Sequence, residues 1–143
     1  MRPDSFKDKV VIITGASSGA KVVMAARRME LLRELAPSVS PDPERVLCVK
    51  TDVSVEEDCR NMVEAAVAKF GRIDILVNNA GISMRAMFRD MKLDVLRRLM
   101  DVNFWGTVYC TRYALPYLLE TRGSLVGVIS IAGYSALPAR TGY

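Results

Sequence analysis

The stretch Val10–Ala20, VVIITGASSGA, decides the fold. Its first four residues are apolar and β-branched, and Thr14-Gly15 ends that run and opens into small side chains. Gly15 allows a tight bend, while Ala16, Ser17 and Ser18 keep the backbone accessible. A helix N-terminus placed next would aim its N–H groups at an anion. The reading is a strand feeding a phosphate-binding turn, with Gly15, Ser17, Ser18 and Gly19 as candidate contacts. No helix pattern follows, however, because Lys21 to Ala26 already reads as a second strand. A crossover between adjacent parallel strands takes about a dozen residues or more, and Ala16 to Ala20 do not supply them. As it stands the pair is expected to form only a hairpin, with a crossover helix missing between the two strands.

Outward from this stretch, short continuous apolar runs recur at Val46 to Val49, Ile73 to Val77 and Leu125 to Ile129. Their pattern suits strands covered on both faces of a parallel sheet. Helical patterns lie between them. Met29 to Ala36 puts Leu31, Leu32 and Leu35 on one face and stops before Pro37. Ser54 and Glu57 form a capping box for a helix running to Phe70, where Gly71 supplies the stop. A long helix from Lys92 to about Leu119 begins with the stripe Leu93, Leu96 and Met100 and is expected to kink at Pro116. Strand alternating with helix predicts an α/β fold, a doubly wound parallel sheet of Rossmann type. It is incomplete as given, a single partial domain over residues 1–143 without its first crossover helix. In such sheets ligands bind beyond the carboxyl ends of the strands.

Composition narrows the function. Half of the 143 residues are hydrophobic, and the formal charge of +4 comes from scattered basic residues. Nucleic-acid binding therefore has little in its favour. No apolar run reaches membrane-spanning length and the N-terminus, MRPDSFKDKV, has no apolar leader pattern, so a soluble, cytoplasmic protein is expected. Histidine is absent, which excludes Ser-His-Asp and Cys-His nucleophile systems and most zinc sites; no metal is expected. Cys48, Cys59 and Cys110 are far apart in sequence and read as free buried thiols rather than a disulfide.

Three strand ends carry chemistry. Arg27-Arg28 closes the second strand, where a dinucleotide-binding unit meets the adenosine ribose. A free 2′-hydroxyl calls for a carboxylate there, whereas a 2′-phosphate calls for cations. Two guanidiniums without an acid favour NADP over NAD; the alternative is an exposed basic pair at a helix start. Asp52-Val53 offers an acceptor for the adenine amino group and an apolar wall for the ring, or equally a plain turn into the next helix. Asn78-Asn79-Ala80-Gly81 combines amides that tie loops together with small residues that let a flat ring approach the backbone.

Taken in order, these motifs resemble the short-chain dehydrogenase/reductase family, of the classical, NADP-preferring type. The matching residues are the TGxxxG start at Thr14 to Gly19, Arg27-Arg28, Asp52-Val53, Asn78 to Gly81, Val102-Asn103, and Ser130 with Tyr143 at the family's spacing. The cofactor contacts this implies are Gly15, Ser17, Ser18, Gly19, Arg27, Arg28, Asp52, Val53, Asn79, Ala80 and Gly81. The resemblance implies carbonyl–alcohol interconversion by hydride transfer with NADP(H). Tyr143 would exchange a proton with the substrate oxygen, Ser130 would hydrogen-bond that oxygen, and Asn103 would hold a water in a proton relay. The family's Lys, four residues after the Tyr, would fall beyond Tyr143, so activity is expected of a longer molecule. The alternative is a truncated, non-catalytic derivative that binds nucleotide or a partner. Small-molecule substrate, no nucleic acid and no membrane are the expected partner profile. Trp105, Tyr109, Tyr113 and Tyr117 form an aromatic stripe that suits either the core or a homo-oligomer contact, dimer or tetramer.

Overall fold

The computed structural model describes residues 9–13, 20–135 and 137–140. Among them are five strands: β1 Val10–Ile13, β2 Lys21–Ala26, β3 Val46–Lys50, β4 Ile75–Asn78 and β5 Ser124–Gly127. They form one all-parallel sheet in the order β3-β2-β1-β4-β5. The hairpin expected of the first two strands is therefore wrong, since Val10 pairs with Lys21 and Ile13 with Met24 in parallel register. Burial explains this. Val11, Val22 and Met24 belong to an apolar cluster on one face and Ile12, Val23 and Ala25 to another on the opposite face, so both strands need cover on both sides.

Helix α1, Met29–Val39, covers the first face. It continues through Pro37 to Val39 instead of stopping before the proline. It rests on the sheet through Leu32, with Met29, Ala36 and Val39 beside it, while Leu31 and Leu35 are exposed. The helical period selects the 29/32/36/39 face and corrects the expected Leu31, Leu32, Leu35 stripe.

Helix α2, Glu56–Phe70, covers the second face together with α4. The expected capping box does not form, and Val55 occupies the N-cap without a side-chain bond. Asp52 competes successfully for Ser54, taking its N–H at 3.0 Å and its hydroxyl at 2.7 Å, and Glu57 pairs with Arg60 instead. At the other end Gly71 adopts φ 75° and donates its N–H to Val67 at 2.7 Å, the left-handed stop expected of it.

The long helix comes in three parts: α3 Leu93–Met100, a π-helical turn Asp101–Trp105, and α4 Gly106–Thr121. Its change of geometry comes at the π turn, and α4 continues through Pro116. Leu99 and Val102 are its buried residues there, while Leu93 and Met100 of the expected stripe lie exposed. Tyr109, Tyr113 and Tyr117 pack against the α2-side core and Trp105 is 44% exposed. Tyr113 donates to Glu56 at 2.7 Å, joining α4 to the start of α2.

Ile73 and Asp74 precede β4 rather than belonging to it, and β5 ends at Gly127, earlier than expected. Asp74, 2% exposed, clips the lower edge of the sheet. Its carboxylate accepts from Val10 N at 3.0 Å, Lys9 Nζ at 3.1 Å and Arg72 Nη2 at 2.7 Å. Its main chain bonds β1 and the first residue of β5. Burial pushes the Asp74 carboxyl up, but Arg72, the Val10 N–H and Lys9 outweigh burial and hold it below the usual range. Among the described residues no helix is long and apolar enough to cross a membrane.

Candidate functional site

At the carboxyl edge the sheet order reverses between β1 and β4, and ligands of open α/β sheets bind at such a point. The strand ends there form an open cleft of about 270 Å³. Arg27, Asp52, Val53, Asn79, Ala80 and Gly81 line it, so six residues picked from three separate sequence segments meet in one cavity.

Arg27 follows β2 and is exposed; Arg28 takes the N-cap position of α1 and is not among the cleft-lining residues. The basic pair is thus divided, with Arg27 facing the cleft and Arg28 starting a helix. Asp52 is anchored from below by its N–H, which donates to Asp58 Oδ2 at 2.8 Å. The Ser54 hydroxyl, with further help from Arg27 and Arg98, holds the Asp52 carboxyl below its ordinary value. It is therefore an ionised acceptor at neutral pH. Val53 is pinned by Gly106, where an added Cβ would stand 2.8 Å from Val53 Cγ2. Only glycine at the start of α4 lets that helix lie against the cleft wall.

The loop after β4 is held by two amides. Asn78 Nδ2 donates to Thr111 Oγ1 at 3.0 Å, tying β4 to α4. Asn103, in the π turn, closes a two-point bond with Ile82: its Oδ1 accepts from Ile82 N at 2.8 Å and its Nδ2 donates to Ile82 O at 2.9 Å. Both ends of the Asn103 amide are thus engaged by main chain, and a relay water would have to find its carbonyl instead. Ile82 and Val102 complete the cleft. Val102 belongs to the Val102-Asn103 pair singled out from the sequence; Ile82 was not a candidate, and nothing in the sequence marks it as the partner of Asn103. Gly106, by contrast, was legible in principle as a glycine inside a helical pattern.

Ser130 follows β5 and caps a short 3₁₀ turn, its Oγ accepting from Ala132 N at 3.2 Å. The hydroxyl hydrogen remains available to donate. Residues just before Tyr143 are moored to the loop after β4, through Ala86 N to Ala139 O at 3.0 Å, a β-bridge between Ala86 and Arg140, and a hydrogen bond from Arg140 to Ser83. Tyr143, Gly15, Ser17, Ser18 and Gly19 lie outside the described residues. No group of three or more Cys, Asp or Glu able to hold a metal ion occurs among the described residues.

With this geometry in place, comparison with known proteins is decisive. A family model described as short chain dehydrogenase matches residues 9–143. The chain belongs to the short-chain dehydrogenase family. An 11-beta-hydroxysteroid dehydrogenase A of Sesamum indicum is 42% identical over 153 residues, covering 94% of this chain and 43% of that protein. An 11-beta-hydroxysteroid dehydrogenase-like 4A of Arabidopsis thaliana is 41% identical over 159 residues, covering 98% of this chain and 52% of that protein. The chain thus spans about half the length of the curated relatives it matches. Both aligned stretches are longer than the chain itself, so each relative has residues within the stretch that have no counterpart here.

Solved short-chain dehydrogenase structures share the fold. A 3-ketoacyl-(acyl-carrier-protein) reductase from Brucella melitensis complexed with NADH superposes with TM-score 0.88 at 29% identity, over 97% of this chain and 64% of that one. ElxO with NADP bound gives TM-score 0.82 at 29% identity, over 93% and 60%. Family membership alone is therefore compatible with either nicotinamide cofactor.

Proposed function

We propose that this chain is the nucleotide-binding half of an NADP(H)-dependent oxidoreductase that interconverts a carbonyl and an alcohol on a small molecule. The observation that carries the reading is Arg27 at the end of β2, lining the cleft beside Asp52 with no carboxylate at the strand end itself. The cleft suits the cofactor's adenosine end. Val53 offers an apolar wall, ionised Asp52 an acceptor for an exocyclic amine, and Ala80-Gly81 a floor without bulky side chains. Arg27 supplies a cation for a 2′-phosphate, worth about 1 to 4 kcal/mol at contact depending on effective dielectric.

NADP(H), when bound, supplies or accepts the hydride at its nicotinamide ring. The chain's own part is proton handling and positioning. Ser130 donates its hydroxyl hydrogen to the substrate oxygen, holding the carbonyl polarised. Tyr143 gives up or takes the proton at that oxygen; an unperturbed phenol titrates near pKa ~10, so a cation beside it would be needed for work near neutrality. Asn103 acts by positioning, since its amide sets Ile82 and with it the Gly81 edge of the cleft. Gly15, Ser17, Ser18 and Gly19 are assigned to the cofactor's phosphates, and Arg28 to long-range attraction. A homo-oligomer is part of the proposal, with the exposed Leu115 and Leu119 of α4 as contact candidates.

The test is NADPH oxidation followed by absorbance with a panel of aldehydes, ketones and quinones. Turnover that Tyr143→Phe abolishes and Ser130→Ala reduces supports the reading. The second reading, a nucleotide-binding derivative without turnover, is favoured by the short β1–β2 link. Tight NADPH binding with no turnover by a molecule of the relatives' full length would establish it.

A further inference from the structure

Two cysteines that the proposed chemistry does not use face each other behind the cleft. Cys59 on α2 and Cys110 on α4 have their sulfurs 3.6 Å apart, and both are buried. The helices approach this closely because the contact is made of small residues: Cys59 and Ala66 on one, Cys110 and Ala114 on the other, all in the same core cluster. We propose that Cys59 and Cys110 form an intramolecular disulfide on exposure to a hydroperoxide, stapling α2 to α4 beneath the nucleotide cleft.

Geometry and access both favour it. A disulfide needs the sulfurs at about 2.05 Å, so they must close by roughly 1.5 Å, within what side-chain rotation on two packed helices supplies. Cys110 also lines a cavity of about 30 Å³ whose walls include Val53, Asn79, Ala80 and Val102, the residues that line the cleft. That volume admits a molecule the size of water or slightly larger, which suits hydrogen peroxide. The neighbouring Cys59 thiol draws the Cys110 pKa down against the opposing push of burial, whereas Cys59 is pushed up by Cys110 and by burial. Cys110 lines that cavity and Cys59 does not, so Cys110 is the sulfur a peroxide meets first.

The steps balance. Cys110 thiolate attacks one peroxide oxygen, the O–O bond breaks, and hydroxide leaves to take up a proton, giving the sulfenic acid and water. The Cys59 sulfur then attacks Cys110 Sγ, the S–O bond breaks, and a second water carries away the Cys59 proton. Two thiols are oxidised and one peroxide is reduced to two waters. The Cys59 thiol also donates to Val53 O at 3.5 Å. Disulfide formation removes that bond at the residue that walls the cleft, so oxidation there is felt at the nucleotide site.

Cys48, on β3 and packed with the opposite cluster, is a built-in control. The experiment treats the full chain with hydrogen peroxide, alkylates the remaining thiols under denaturant, and maps peptides by mass spectrometry with a non-reducing gel alongside. The expected result is a monomer-sized species in which the Cys59 and Cys110 peptides are joined at the mass of two hydrogen atoms less than their sum. Cys48 stays alkylatable and dithiothreitol reverses the link. Recovery of Cys59 and Cys110 as alkylated thiols, while exposed methionines have become sulfoxides, would overturn the proposal. So would stable sulfinic acid at Cys110 without a link. Cys110→Ala should leave Cys59 alkylatable; if that variant fails to fold, the wild-type peptide map alone decides.

Discussion

Asp74 shows how one side chain organises the edge of the sheet away from the cleft. It is buried, yet ionised, because Arg72, Lys9 and the Val10 N–H all point at it. Replacing it with Asn leaves two cations without their partner and weakens the β1 contact, so Asp74→Asn should cost about 2 to 4 kcal/mol in denaturant unfolding. The pH dependence follows from its direction of shift. A carboxyl depressed on folding contributes stability that is fully present above its unfolded value, ~3.9, and is lost as pH falls through the folded value. The gap between wild type and Asp74→Asn should therefore be constant above about pH 5 and shrink in acid. A gap that instead widens in acid would refute the assignment. Residue identities in the cleft were legible from motif chemistry, since Arg27, Asp52 and Asn79 each carry a donor or acceptor suited to a nucleotide. Pairings were not. Asn103 with Ile82 and Asp52 with Ser54 join side chains to backbone groups, and every residue has a backbone, so no residue type announces the partner.

At the scale of elements, the close approach of α4 to the turn after β3 depends on Gly106. A side chain there would strike Val53, and Gly106→Val should cost about 1 to 3 kcal/mol as overpacking while pushing Val53 into the cleft and weakening nucleotide binding. Gly127 in β5 has open space where a Cβ would stand. Gly127→Ala is the matched control and should leave both thermal unfolding and binding near wild type. Element types were readable because short continuous apolar runs and helical periodicity mark strands and helices. Boundaries failed where local polar groups competed, as at Ser54, where the Asp52 carboxylate captured the intended cap. The parallel pairing of β1 and β2 follows the doubly wound sheet expected from the alternation of strands and helices, and overrides the hairpin for which the short link alone argued.

Across the whole molecule, the strand order, the cleft at the β1/β4 reversal and the family match agree on a doubly wound, Rossmann-like architecture. Two surfaces are apolar and exposed. The outer edge of β5 carries exposed Leu125 and Val126, and α4 exposes Leu115 and Leu119. If α4 joins copies of the chain, Leu115→Glu with Leu119→Glu should shift sedimentation toward monomer, whereas Tyr109→Ala and Tyr113→Ala should chiefly lower thermal stability, because those rings pack inward. Unchanged sedimentation of the double glutamate variant would remove α4 as the contact.

The proposed cofactor preference rests on a cation in place of a carboxylate at the end of β2. The most direct measurement is the ratio of dissociation constants for NADPH and NADH, taken at low salt for wild type and Arg27→Ala. NADPH should bind about tenfold or more tighter in wild type, with the preference shrinking in Arg27→Ala and on adding salt. Equal affinities in wild type, or a preference indifferent to Arg27 and to salt, would contradict it.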